Sequence, residues 1–259
     1  MDSLPPTTLD RIDAIITDRL ADWPPQWEGF HWPGYTLEHT YRVRNLALAL
    51  GEREGADPGV VEPAALLHDI AKAEGREHAR IGAGEADHIL HDLNAADHLR
   101  ARIVEAIALH SGDNTADHPI ENLVLGDADL IDANFGYVAT WRFITIRAGH
   151  DMPLPETIAG MVEWLPKKDE LQALLLTDAG RACAAERSRA MHGFCQDIAA
   201  VFDGAGTALP LRRLVEQIAS DYARASLTVQ MPALRELAGD DAAAVTVCER
   251  FEEEIAGRR

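Results

Sequence analysis

The chain is expected to fold as an all-α protein, and three observations carry that expectation. Almost every periodic segment spaces its apolar residues three and four apart, the period of a helix with one buried face. No run of alternating Val, Ile, Thr and aromatic residues is long enough for a strand. The 47% hydrophobic content of the 259 residues argues against general disorder and supplies a core for one large domain, or for a domain with an extension.

The elements follow in order. Residues 7–21 place Leu9, Ile12, Ile15 and Ile16 on one helical face, with Thr8 or Asp10 as the cap. "DWPPQWEGFHWPGY" (22–35) is a Pro-, Gly- and Trp-rich loop. Its Trp23, Trp27, Phe30, Trp32 and Tyr35 suit packing against a bundle better than a lid or a stacking platform for a base. A helix capped by Thr36 runs through "LEHTYRVRNLALALGEREG". The next starts after Asp57-Pro58 and holds "AALLHDIAK" (64–72). Further helices fit 76–92, 95–110 and 119–136, and "RAGHDMPLPET" (147–157) reads as a turn. Helices resume at 156–174 and 177–202. "DGAGTALP" (203–210) is the best linker, and 211–225 and 232–257 are again helical. The chain thus divides into an N-terminal helix and aromatic loop (1–35), a central helical unit (36–202) and a C-terminal helical extension (203–259).

Composition narrows the function. A formal net charge of −19 repels polyanions at long range and argues against bulk nucleic-acid binding. A small anionic substrate stays compatible with that charge, because bound metal ions would dominate the local field. The longest apolar runs, "NLALAL" (45–50) and "EPAALL" (62–67), are far short of a membrane span. The acidic start "MDSLPPTTLD" has no apolar signal region, and the three cysteines are odd in number with no C-x-x-C. Together these predict a cytoplasmic protein with reduced thiols. Composition leaves the oligomeric state open.

The stretch "AALLHDIAK" carries the chemistry. An apolar, core-facing run ends in adjacent His68 and Asp69. A buried carboxylate needs a partner or a metal. The pairs His91-Asp92 and His150-Asp151 lack that setting, lying at a helix end and in a Pro/Gly loop, so solvation or capping accounts for them. In chain order the candidate ligands are His39, His68, Asp69, His78, His110 and Asp129, each on or at the end of an expected helix. Imidazole and carboxylate together suit Zn, Mn or Fe, and ligands from separate helices converge inside a bundle in helical di-metal proteins. His68 and Asp69 would diverge by about 100° on one helix. They reach a shared ion if the helix end points at it, or flank two ions.

The ordered pattern of His39, His68-Asp69 and Asp129, in the contexts "HTYRV", "LLHDIAK" and "GDADLID", resembles the HD-domain metal-dependent phosphohydrolase superfamily. The stretch "TDAGRACAAERSRAMHGF" (177–194) is similar to one downstream of the site in a bacterial branch of that superfamily, so the resemblance covers roughly residues 36–200. It implies an HD-domain helical bundle in the central unit, followed by the C-terminal extension. It also implies that His39, His68, Asp69 and Asp129 bind a first divalent ion, of which Mn, Fe, Mg, Zn, Co and Ni are all candidates. Asp127 is a rival to Asp129. The family form "ADxxD" favours Asp129, with Asp127 and Asp132 in supporting or capping roles. His78, in "HARIGAGEA", and His110, at the end of "IVEAIALH", match the two further histidines of members that bind a second ion. Ser111 stands where some two-metal members have another histidine.

The implied reaction is hydrolysis of a phosphoester of a small molecule, with a nucleotide as one candidate, by metal-activated water. Asp69 would bridge ions or take a proton from that water. Lys72 follows Asp69 by three residues and Arg42 follows His39 by three, which makes both candidate substrate contacts. Two other readings compete. One is an HD-fold di-iron oxygenase gated by Tyr35 and Glu38; the other is a non-catalytic binding or sensor domain that keeps its metal for structure.

Overall fold

The computed structural model describes residues 4–21, 34–204, 209–221 and 226–258, and among these every regular element is helical. Trp23, Trp27, Phe30, Trp32 and residues 205–208 of the expected linker lie outside the described residues. The helices are α1 (Pro6–Leu20), α2 (Tyr35–Glu54), α3 (Pro58–Leu67), α4 (His78–Asp92), α5 (Asp97–Leu109) and α6 (Ile120–Asn134). They continue as α7 (Tyr137–Gly149), α8 (Leu154–Asp169), α9 (Asp178–Phe202), α10 (Leu209–Asp221), α11 (Leu227–Ala238) and α12 (Ala242–Ile255). Two short 3-10 segments, Lys72–Glu77 and Glu170–Leu174, join α3 to α4 and α8 to α9.

The spine is α2, which packs against α1, α3, α6, α9 and α12. Its buried stripe includes Tyr35, His39, Arg42, Val43, Leu46, Ala47 and Leu50, positions that share one helical face. The apolar half of the stripe enters the core, where each fully buried Leu or Ile contributes about 1.5–3 kcal/mol. The polar half, His39 and Arg42, is buried with it, so these residues need partners inside the protein. Helix α6 repeats the device. Val124, Leu125, Ala128 and Ile131 pack, while Asp127 and Asp132 are carried into the interior on the same helix.

Several boundaries differ from the expected ones for local reasons. Helix α1 begins at Pro6, whose missing N–H is harmless at a first helical position, and not from a Thr8 or Asp10 cap. Helix α2 starts at Tyr35 behind a left-handed Gly34, so Thr36 lies within the helix. The segment expected as one helix over 232–257 is two, α11 and α12, broken at Gly239 (φ 51°). The expected helix over 119–136 stops at Asn134, and an unexpected helix, α7, follows from Tyr137. Between them Gly136 (φ 101°) lets the buried Glu254 carboxylate of α12 approach and accept from Tyr137 N (2.8 Å) and Val138 N (2.9 Å). The N-terminus of α7 is therefore capped from far along the chain.

The C-terminal helices share this interior. Leu214, Val215 and Ile218 of α10, Leu227 and Leu234 of α11, and Phe251 of α12 belong to the same core cluster as Leu46 and Leu50. Helix α11 is capped from α2: Glu38 accepts from Leu227 N at 2.9 Å and from Thr228 N at 2.6 Å. That carboxylate also binds Arg42 Nη1 at 3.3 Å, which ties the extension to the helix that carries His39. No helix among the described residues is long and apolar enough to cross a membrane.

Candidate metal centre

Helix α3 ends at Leu67, so His68 and Asp69 sit at its C-terminal end and Lys72 opens the following 3-10 segment, not the same α-helix. The backbone turns over as the pair is presented, and both side chains point into one interior space where neither is solvent-exposed. Of the two arrangements open to adjacent residues, this is the helix end aimed at the site.

Four imidazoles meet there in one orientation. His68 donates Nδ1–H to Ala65 O (2.8 Å), His78 to Gly75 O (2.7 Å) and His110 to Ile107 O (2.7 Å). His39 donates Nδ1–H to Asp132 Oδ2 at 2.7 Å. Each of these bonds turns Nε2 toward the centre, the atom through which the neutral ring would ligate a metal. His78 Nε2 and His110 Nε2 face each other at 3.2 Å. Both Nδ1 atoms are engaged with backbone carbonyls, so a cation bound to the two Nε2 atoms would satisfy both rings.

Asp69 lies in the middle. Its Oδ2 is 3.5 Å from His68 Nε2 and 3.7 Å from His39 Nε2, while its Oδ1 is 3.3 Å from His78 Nε2 and 3.7 Å from His110 Nε2. One carboxylate thus serves two clusters of nitrogen donors, one oxygen to each. Asp129 completes the first cluster, with Oδ1 3.1 Å from His39 Nε2 and 4.0 Å from His68 Nε2. Ligand atoms of His39, His68 and Asp129 lie within 4.8 Å of one another, as do those of His68, Asp69 and His110. His68 Nε2 is buried with no hydrogen-bond partner. Buried polar atoms rarely stay orphaned, and a hard or borderline divalent ion satisfies this nitrogen–oxygen donor set. The residues present fit the metal that the sequence implied.

Electrostatics agree with ionised carboxylates around neutral and charged imidazoles. Burial raises the Asp69 carboxyl, but Lys72 and His68 outweigh it and hold the group well below the usual range. Asp129 is likewise held low against its burial by His39. Burial pushes His68 down to about 4. His39 is lowered by burial, but its bonds to Asp129 and Asp132 prevail and lift it to about 9. Lys72 Nζ sits 3.0 Å from Asp69 and is raised, because Asp69 and Asp129 outweigh its burial.

Arg42 does not reach this space as a substrate contact. It is 2% exposed and forks onto Asp132, with Nε–Oδ1 at 2.9 Å and Nη2–Oδ2 at 3.0 Å. Its place is behind His39: Glu38 holds Arg42, Arg42 holds Asp132, and Asp132 holds the His39 ring. The buried stripe of α2 already contained this signal, since residue 42 lies on it beside His39. Tyr35 and Glu38, the gate of the oxygenase reading, are also committed elsewhere. Tyr35 is buried and stacked on Trp141, and Glu38 caps α11.

Asp127 faces away from the cluster. Its carboxylate accepts from Leu176 N (2.9 Å), Thr177 N (2.8 Å) and Thr177 Oγ1 (2.7 Å), while Gly180 keeps the space beside it open. This explains "TDAGR" as the docking point of α9 on α6. Asp127→Asn puts an amide against those donors and is expected to lower stability by about 1–3 kcal/mol with metal content unchanged. Asp129→Asn is expected to lose metal. Metal analysis and thermal melts of the two variants check both outcomes, and greater metal loss from the Asp127 change would reverse the assignment.

A cavity of about 450 Å³ opens beside the centre, lined by Asp129 and His110 at one end. Its walls include Leu123, Leu130, Leu174 and Leu176, together with the polar Ser111, Asn114 and Asn134. Ser111 is exposed on this wall.

An all-helical bundle that gathers four imidazoles and two carboxylates from separate segments around one buried point defines a class, the helical proteins with a His/Asp donor set for divalent ions. Residues 36–134 match the family model of the HD domain. Protein YpgQ of Bacillus subtilis (strain 168) is 28% identical over 194 residues, which is 72% of this chain and 88% of that protein. The crystal structure of YpgQ in complex with ADP superposes with a TM-score of 0.57 at 25% identity, covering 74% of this chain and 93% of that one. A predicted HD superfamily hydrolase from an uncultured Thermotogales bacterium shares the fold, with a TM-score of 0.52 at 24% identity over 75% of this chain and 92% of that one. Ribonuclease Y of Clostridium tetani is 37% identical over 101 residues, 38% of this chain but only 18% of that enzyme.

Proposed function

We propose that the protein is a metal-dependent phosphohydrolase that cleaves a phosphoester of a small molecule, a nucleotide being the substrate class favoured. The observation that carries this reading is Asp69, whose two oxygens turn to two separate groups of inward-facing Nε2 atoms. That arrangement suits two ions, one toward His39, His68 and Asp129 and one toward His78 and His110. The nucleotide reading draws on YpgQ, whose crystal structure was solved in complex with ADP, and on a cavity with apolar walls for a base or sugar.

Divalent ions held there would acidify a water and neutralise phosphoryl charge. The chain's own residues do the rest. Asp69, ionised and central, is placed to receive the proton of the attacking water. Lys72 holds Asp69 in its ionised form and keeps 23% of its side chain exposed, within reach of a phosphoryl oxygen. Asp132 and the carbonyls of residues 65, 75 and 107 keep the four rings aimed inward. The low exposure of the site limits bulk water. We place the protein in the cytoplasm, in keeping with three buried, free cysteines.

Elemental analysis of the purified protein, alongside a panel of nucleotides and other phosphoesters with Mn, Mg, Co, Ni, Zn or Fe, tests the reading. One to two equivalents of a divalent metal and metal-dependent release of phosphate or pyrophosphate are expected. A metal-loaded protein that turns over no member of the panel would favour the binding-domain reading. Oxygen uptake by an iron-loaded protein would favour the oxygenase.

A further inference from the structure

The C-terminal extension reaches the metal centre through one side chain. Helix α11 lies outside residues 36–134, the stretch that matches the HD-domain model, yet its first turn is bonded to the residue beside His39. Glu38 Oε2 accepts from Leu227 N at 2.9 Å, and Glu38 Oε1 accepts from Thr228 N at 2.6 Å. The same Oε2 accepts from Arg42 Nη1 at 3.3 Å. Arg42 turns Nε and Nη2 to Asp132, at 2.9 and 3.0 Å, and Asp132 Oδ2 lies 2.7 Å from His39 Nδ1. Every step from the backbone of α11 to the imidazole of His39 is a hydrogen bond.

Helix capping alone does not account for the first of these contacts. Ser226 stands at the N-cap of α11, a residue type that ordinarily caps with its own hydroxyl, yet its side chain makes no such bond. Glu38 fills the role from 189 positions away. The charges explain why a carboxylate is there. The side chains of Arg42, Glu38 and Asp132 are 3%, 12% and 2% exposed. One guanidinium between two carboxylates leaves excess negative charge in the interior, and the positive end of α11 offsets it at Glu38. Glu38 then holds Nη1 of Arg42 while Nε and Nη2 stay on Asp132. A planar guanidinium fixed on two sides keeps one orientation, and so does the carboxylate that it presents to His39.

We propose that Glu38 is a positioning residue for the metal centre and that α11 holds it in place. The C-terminal extension thereby sets the metal affinity of the site through Arg42, Asp132 and His39. This rests on the metal-dependent reading for what His39 binds, but the relay itself consists of contacts within the chain.

The test compares variants of the whole chain. Glu38→Gln removes the charge and sets an amide N–H against donors. Thr228→Pro deletes one N–H that Glu38 accepts. Proline is tolerated at that position of a helix, and α8 and α10 already open as Leu154-Pro155 and Leu209-Pro210. Thr228→Ala keeps the N–H and serves as the control, because the Thr228 residue is exposed. Two readouts are taken at a temperature where melts show each variant folded. One is manganese affinity by calorimetry. The other, in the metal-free protein, is the proton resonance of His39 Nδ1–H, identified by its absence in His39→Gln. Glu38→Gln is expected to weaken manganese binding about tenfold, the low end for an outer support of a ligand, and to move the His39 resonance. Thr228→Pro is expected to change both in the same direction by less, and Thr228→Ala to match wild type. Beside Asp132→Asn, Glu38→Gln is expected to weaken binding no further, because the link to His39 is already cut. Wild-type affinity with an unmoved resonance in Glu38→Gln would overturn the relay, as would a Glu38→Gln effect that persists in full beside Asp132→Asn. A Thr228→Pro variant that matches Thr228→Ala would overturn the part given to α11. If wild type binds no manganese, the metal-dependent reading falls, and the His39 resonance alone decides the relay.

Discussion

Asp69→Ala is expected to empty the centre and abolish hydrolysis while the protein stays helical. Asp69 faces both nitrogen clusters, with Oδ2 toward His39 and His68 and Oδ1 toward His78 and His110. Its removal takes a ligand from each proposed ion and the base from the attacking water. A general base alone accounts for about 10²–10⁴-fold, so the loss of activity should be about a thousandfold or more. The core packs around Leu46, Leu67 and Ile107 and does not depend on this carboxylate, so circular dichroism should keep its helical signal. Metal analysis of the variant gives the sharper reading, and wild-type metal content would show that Asp69 is not a bridge.

Asp132→Ala is expected to cause the largest loss of stability and, through His39, a loss of metal affinity. The variant leaves the Arg42 guanidinium buried without its bidentate partner, and breaking one side of a buried pair costs about 3–5 kcal/mol. It also frees the His39 ring, and losing a support of this kind typically weakens metal binding about 10–100-fold. The pH dependence has a defined sign. Burial raises the Asp132 carboxyl, but Arg42 and His39 outweigh it and hold it well below the usual range. A depressed carboxylate contributes stability above its unfolded pKa, about 3.9, and loses that contribution as pH falls below it. The gap between wild type and variant should therefore be full at neutral pH and narrow in acid. Thermal melts from pH 7 down to pH 3 check this, and a constant gap would remove the ion pair from the account.

Much of this was legible in the chain. The three- and four-residue spacing in α2, α5 and α9 located those helices, and the apolar run before His68-Asp69 marked the pair as interior. What sequence could not supply were partners distant along the chain. Arg42 stands three residues after His39, which suggested a substrate contact, yet its neighbour in space is Asp132, ninety positions on. The start of α7 was hidden because its cap is Glu254 on α12. Glu38 read as a gate beside His39, and its donors turn out to be the first amides of α11. Short-range periodicity placed most of the helices, and the charged groups they carry took their roles from tertiary contact.

The most direct test is an anomalous difference map from crystals of the protein grown with manganese. Two peaks are expected on either side of Asp69, one among His39, His68 and Asp129 and the other beside His78 and His110. Manganese bound elsewhere, with no peak in contact with Asp69, would contradict the account.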